Sequence, residues 1–177
     1  FVNLQTQFKE RNVQKTYIAL AHGRIEPEEG EINVSVGRLP WNRKRVGVVA
    51  EGREAVTKYR ALCNVILSPA EPDEGSNKIL RFAQNDSVIN ENLTLVELYP
   101  KSGRTHQIRV HLQYIHHPIF ADPLYAGRKT SRNDRKILPR IFLHASKISF
   151  YHPTTNKFIS FESMLPHELE QYLNTIS

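Results

Sequence analysis

Arg104, His106, Gln107, Arg109 and His111 crowd into one short run, Lys101-Ser102-Gly103-Arg104-Thr105-His106-Gln107-Ile108-Arg109-Val110-His111. Gly103 allows a tight turn at low steric cost, and Thr105 or Ser102 can cap a helix starting after it. Ile108, Leu112 and Ile115 then recur at helical spacing and are expected to face a core. His106, Arg109, Gln113 and His116 recur at the same spacing on another face. A helix that opens after glycine, with arginines in its first turns, suits an anion or an RNA phosphate. An ordinary amphipathic surface helix carries the same pattern, because a solvated polar face usually accompanies an apolar stripe.

Other chemistries fit these residue types less well. His106 and His111 stand five apart, not the four that puts two zinc ligands on one helix face. His116-His117 has no companion carboxylate at ligand spacing. Cys63 is the only cysteine, so no internal disulfide is possible. It falls in an apolar strand pattern and reads as a buried filler, not a nucleophile. No strand-elbow motif of a serine hydrolase is present.

A resemblance rests on longer segments. Gly103-Arg104-Thr105-His106-Gln107-Ile108-Arg109-Val110-His111-Leu112, then His117-Pro118-Ile119, then Asp122-Pro123-Leu124-Tyr125-Ala126-Gly127 resemble the hallmark of the RluA-type RNA pseudouridine synthases. Gln14-Lys15-Thr16-Tyr17-Ile18-Ala19-Leu20 resembles the family's tyrosine motif. Leu143-His144-Ala145-Ser146 with Phe150-Tyr151-His152-Pro153 resembles its carboxy-terminal strand. Phe120-Ala121 departs from the pattern, where relatives usually carry an aliphatic residue and glycine.

The resemblance implies isomerisation of uridine to pseudouridine in structured RNA, ribosomal before transfer RNA, with no metal and no cofactor. Tyr17 would stack on the extruded base and act in proton abstraction. The other reading of Tyr17 is a core aromatic in a strand. Arg109 would hold the catalytic aspartate in bidentate geometry. Arg104, His106 and Gln107 would position RNA or the helix start. Asp122 would shape a turn. The family aspartate belongs to a His-Arg-Leu-Asp motif ahead of the tyrosine. Here Asp73, Asp86, Asp122 and Asp134 all come after Tyr17. The expectation is therefore a carboxy-terminal portion of a synthase, inactive by itself, with Arg109 left unpaired. The competing reading is a non-catalytic RNA-binding module or a degenerate relative.

Charge points the same way. Lysine and arginine outnumber acidic residues 24 to 18, a net charge of +6. Such an excess favours a polyanionic partner. Trp41-Asn42-Arg43-Lys44-Arg45 sets an aromatic beside three cations, which suits phosphate contact and base stacking. Arg128-Lys129-Thr130-Ser131-Arg132-Asn133-Asp134-Arg135-Lys136 is a second basic run, polar enough to read as a loop. Arg43, Lys44, Arg45, Arg128 and Lys129 are thus candidate RNA contacts. Solvated loops that aid solubility would look alike.

The elements that must position these residues are mostly strands. Phe1, Leu4 and Phe8 share a helical face, so residues 1–11 read as the end of a helix. Residues 15–21 read as a strand. Ile32, Val34 and Val36 alternate with polar neighbours as a half-buried strand. Residues 46–49 read as a short extended piece. Tyr59, Ala61, Cys63, Val65 and Leu67 fall on one side of another strand. In a further strand, Leu93, Leu95, Glu97 and Tyr99 oppose Thr94, Val96 and Leu98. Between these last two, residues 68–92 read as an inserted mobile loop. Pro118 should end the central helix. Residues 143–151 and 157–161 read as a hairpin, and Pro166 should open a last helix with Leu169, Tyr172, Leu173 and Ile176 inward.

This pattern predicts an α+β domain over residues 1–177, with a largely antiparallel sheet and few flanking helices. The resemblance implies the same fold, the pseudouridine synthase catalytic fold: a mixed sheet with a cleft across it. At 177 residues, 40% hydrophobic and 24% charged, the chain has the make-up of one globular domain. No apolar run reaches membrane-span length. A monomer in a reducing cytoplasm is expected.

Overall fold

The computed structural model describes residues 1–66 and 92–176. The expected insertion lies outside them, except for Asn92. The elements in chain order are α1 (Val2–Lys9), β1 (Gln14–His22), β2 (Glu29–Asn33), β3 (Val36–Leu39), β4 (Asn42–Val48) and β5 (Val56–Ile66). After these come β6 (Asn92–Pro100), α2 (Gln107–Tyr114), α3 (Arg128–Ile137), β7 (Leu143–Tyr151), β8 (Phe158–Glu162) and α4 (His167–Ile176).

Six strands form one sheet in the order β2-β5-β6-β1-β7-β8, and β3 and β4 form a separate hairpin. Every pairing is antiparallel. The central strand β1 shows why the sheet lies between two cores. Its side chains alternate between them, as the strand period of two requires. Ala19 and Ala21 enter one cluster with Ile32, Tyr59, Val96, Leu98, Ile108 and Leu112. Leu20 points the other way, among Leu93, Phe120, Phe142, Leu169 and Tyr172. Helix α2 therefore covers one face and α4 the other, so the sheet is the middle layer. Truncating fully buried Leu112 would cost about 2–5 kcal/mol by transfer and cavity formation.

Several local expectations are corrected by tertiary context. The basic run 128–136 is helical, not a loop. It lacks proline and glycine, and Ser131, Asp134 and Leu138 turn inward at helical spacing. The Asp134 carboxylate accepts the Ala121 N–H at 2.9 Å and the His22 Nε2–H at 3.0 Å. This ties α3 to the sheet. Cys63 is exposed, not buried. The β5–β6 register shifts between Ala61 and Cys63, and the bulge breaks the alternation on which burial was read. Helix α1 forms, yet Phe1 and Phe8 face outward and Gln7 is its buried residue. The Gln7 amide bonds both the N–H and the carbonyl of Tyr151, which docks α1 on β7. The strand expected through Ile32, Val34 and Val36 breaks between β2 and β3, because β3 leaves the sheet for its own hairpin.

Helix α2 begins and ends differently from expectation. Gly103 is not the left-handed residue; His106 is, with φ 56° at the N-cap position. Neither Ser102 nor Thr105 caps the helix through its side chain. At the other end, left-handed His116 (φ 67°) stops the helix before Pro118 is reached. The His117 N–H donates to Leu112 O at 2.9 Å and the His116 N–H to Gln113 O at 2.9 Å, a Schellman-type closure. Ala121, where the resemblance has glycine, is also left-handed with φ 59°. A side chain there is strained by about 1–2 kcal/mol.

Candidate active site

The site is assembled on the α2 face of the sheet. Tyr17 lies on the same side of β1 as Ala19 and Ala21, and packs half-buried against the cluster holding Ile108 and Leu112. Its hydroxyl has no hydrogen-bond partner among the described residues, which leaves the phenol open. Two residues earlier on that side, Lys15 is half-buried; its Nζ donates to Ser102 O at 3.3 Å. Burial without a carboxylate pushes the Lys15 ammonium down from its ordinary pKa. The sequence reading missed Lys15. Its signal was the strand period that puts it beside Tyr17.

Gln107 fixes the loop between β6 and α2. Its Nε2 donates to Val56 O at 3.0 Å and Thr57 Oγ1 at 3.0 Å. Its Oε1 accepts the Ser102 hydroxyl at 2.8 Å and the Arg104 N–H at 3.0 Å. With 4% exposure and a saturated amide, Gln107 holds the helix start and is not a surface for RNA. Arg104 stays partly exposed beside this loop, its Nε 3.4 Å from Glu54 O.

Arg109 is not unpaired, as the sequence had led us to expect. It meets Asp122 in bidentate fashion, with Nε–Oδ2 at 2.8 Å and Nη2–Oδ1 at 2.7 Å. Asp122 is fully buried, and Arg109 is 16% exposed. Asp122 also shapes its turn, as expected, by accepting the Leu124 and Tyr125 N–H groups at 2.8 and 3.1 Å. The guanidinium lies 4.8 Å above the Tyr125 ring, a cation–π contact. Two of five guanidinium N–H groups reach Asp122, and the other three have no hydrogen-bond partner among the described residues.

Tyr125 joins three parts of the site. Its hydroxyl donates to Val46 O of β4 at 3.0 Å and accepts from His106 Nδ1 at 3.0 Å. A phenol has one proton, so the imidazole must donate from Nδ1. Burial pushes the Tyr125 hydroxyl up, with Arg109 opposing and Asp122 adding; Arg45 also pulls it down. Burial, and then Arg109, push His106 down. His106 is held at its left-handed N-cap by the bond to Tyr125 and by its carbonyl, which accepts the Val110 N–H at 2.9 Å.

The structure thus gathers Arg104, His106, Gln107 and Arg109 around α2, with Tyr17 on the facing strand. Arg45 lies exposed on β4, next to Val46, whose carbonyl accepts the Tyr125 hydroxyl. Arg128 and Lys129 lie exposed at the start of α3, directly after the Asp122–Gly127 turn. Asp122 as partner of Arg109 escaped the sequence reading, because the two stand thirteen residues apart with no periodicity to link them.

His111 supplies a pH prediction. It is fully buried, donates from Nε2 to Val34 O at 3.3 Å, and its Nδ1 has no partner among the described residues. Burial lowers its pKa below 6.5. The unfolded chain therefore binds a proton that the folded chain refuses. Stability should fall as pH drops below about 6.5, by at most about 1.4 kcal/mol per unit for this one proton. Urea midpoints between pH 7.5 and 5 should show the slope, and His111→Leu should flatten it. An unchanged slope in His111→Leu would assign it to other groups.

Comparison with known proteins accords with this geometry. The family model described as RNA pseudouridylate synthase matches residues 2–114. The chain is 32% identical to an uncharacterised RNA pseudouridine synthase of Mycoplasma genitalium, over 99% of the chain and 48% of that protein. It is 34% identical to ribosomal large subunit pseudouridine synthase D of Nitrosomonas europaea, over 98% of the chain and 44% of the relative. Identity to ribosomal large subunit pseudouridine synthase C of Vibrio cholerae is 34%, over 97% and 46%. The chain spans about half the length of the curated relatives it matches. In fold it resembles human RNA pseudouridylate synthase domain containing 1, with a TM-score of 0.68 at 23% identity, covering 99% of the chain and 70% of that structure.

Proposed function

Because this chain belongs to the RNA pseudouridylate synthase family, we propose that its protein isomerises uridine to pseudouridine in structured RNA. The observation that carries the reading is the Tyr17 phenol, without a hydrogen-bond partner among the described residues, on the strand packed against α2, the helix that carries the Arg109–Asp122 pair. Tyr17 takes the stacking and proton-abstracting roles. Arg109, braced by Asp122 and Tyr125, offers its remaining N–H groups to the catalytic carboxylate. Within these 177 residues no aspartate precedes Tyr17, so the chain assayed alone is expected to give no turnover. Ribosomal RNA is the proposed substrate, in keeping with the names of two relatives, and the cytoplasm the proposed location. Among the described residues no helix is long and apolar enough to cross a membrane. Mapping pseudouridine by carbodiimide-blocked primer extension, with and without the gene, tests the proposal. Loss of a site in one RNA is the expected result; no lost site in any RNA overturns it.

Helix α3 carries the second part of the proposal. Arg128, Lys129, Arg132, Arg135 and Lys136 are all exposed on it, while Ser131 and Asp134 bind it inward. An exposed row of cations of this kind suits contact with phosphates. Each phosphate contact removed should reduce the salt slope of RNA binding by about 0.7–0.9. Arg132→Gln with Arg135→Gln should therefore flatten a plot of log affinity against log salt, alike for many RNA sequences. An unchanged slope would leave α3 outside the interface.

A further inference from the structure

The β3–β4 hairpin stands apart from the six-stranded sheet, and Trp41 lies at its tip with 79% of its surface exposed. A single exposed aromatic is ordinary on a protein surface; this one stands at the end of an arm beside exposed cations. The base of the hairpin is firmly anchored. Val36 and Arg53 exchange both backbone hydrogen bonds at 2.9 Å. Val36, Ala55, Val110 and Tyr125 bury a small cluster beneath it, with Val46 against them. The Tyr125 hydroxyl then fastens Val46 O to the group that includes Arg109 and His106. The hairpin is thus an arm whose root is part of the candidate site. Near its tip, Arg38 and Arg45 are exposed cations, and no carboxylate lies in β3 or β4.

We propose that Trp41 stacks on an unpaired nucleobase of the RNA, next to the strand that the surrounding cations hold. The inference rests on the RNA reading above and deepens it by naming a base contact. Exposed arginines attract the phosphates, but phosphate contacts carry no sequence or strandedness information. An indole at the end of the arm supplies what they lack: a flat apolar surface that only an unstacked base can cover. Duplex RNA keeps its bases stacked and offers Trp41 little. The arm therefore favours a loop or bulge near the target uridine.

Trp41 is the only tryptophan in the chain, so its emission reports this contact directly. The 177-residue chain is titrated with a fluorescein-labelled single-stranded RNA, a duplex of equal length, and inorganic polyphosphate. Anisotropy of the label reports RNA binding; indole emission reports stacking. Single-stranded RNA should bind and quench the indole, whereas duplex and polyphosphate should bind without comparable quenching. Trp41→Ala should weaken single-strand affinity roughly 5- to 150-fold, the range for one base–aromatic stack. Trp41→Phe should recover most of that loss. Binding of single-stranded RNA without quenching, or equal affinity in Trp41→Ala, overturns the stacking proposal and leaves the RNA reading standing. Equal quenching by polyphosphate overturns it too, since charge alone would explain the signal. Absence of binding to every RNA overturns both readings and turns the arm towards a protein partner.

Discussion

Asp122→Ala is expected to lower unfolding free energy by about 3–5 kcal/mol, the cost of breaking a buried ion pair from one side. The pair is bidentate, the carboxylate is fully buried, and it also accepts two backbone N–H groups. Its loss leaves Arg109 with an uncompensated charge against the Tyr125 ring and leaves the Leu124 and Tyr125 N–H groups without their shared acceptor, Oδ1. For a domain stable by about 5–15 kcal/mol, this is a large fraction of the total. Arg109→Ala should cost less, because Asp122 keeps the Leu124 and Tyr125 N–H groups. Chemical denaturation of both single variants and the double variant measures the coupling between them. A loss under about 1 kcal/mol in Asp122→Ala would show that solvent reaches the pair and screens it. The consequence for enzymology is direct. A dead Arg109→Ala enzyme says nothing about chemistry until its folding has been compared with the parent.

Tyr17→Phe should separate folding from chemistry more cleanly. The hydroxyl has no partner among the described residues, and the ring packs on the Ile108–Leu112 cluster. Removing the oxygen should therefore leave stability and RNA affinity unchanged. In a turnover-competent preparation of the protein, the single-turnover rate should fall roughly 100- to 10,000-fold, the usual contribution of a general acid–base group. A parent-like rate would mean that the tyrosine only stacks on the base.

Local patterns were legible wherever one period governed burial. β1, β6, β7 and α4 lie close to where alternation and helical spacing put them; in β1 and β6 both alternating sets are apolar and each set meets its own core. Failures came where a distant contact decided the outcome. Cys63 sits just past a bulge set by β6, and no rule of period two contains a bulge. α3 is helical because Asp134 finds Ala121 and His22 across the fold, while its own composition reads as loop. The site divides in the same way. Arg109, Tyr17 and Gln107 could be picked out by motif, but Asp122 and Tyr125 acquire their roles only when the turn after α2 folds back over it. Gln107 stood among RNA-positioning candidates because the residue type alone does not show how many of its bonds are already used.

The separateness of the hairpin has a consequence for motion. Strand β1 is hydrogen-bonded on both sides and supports both cores, so releasing its amides to exchange requires opening the whole sheet. The β3–β4 arm is held by the Val36–Arg53 exchange, the Tyr125 hydroxyl and one small cluster. Its amides can open in a local excursion that leaves the rest of the sheet protected. Amide exchange is therefore expected to run early in β3 and β4 and late in β1, the strand carrying Tyr17.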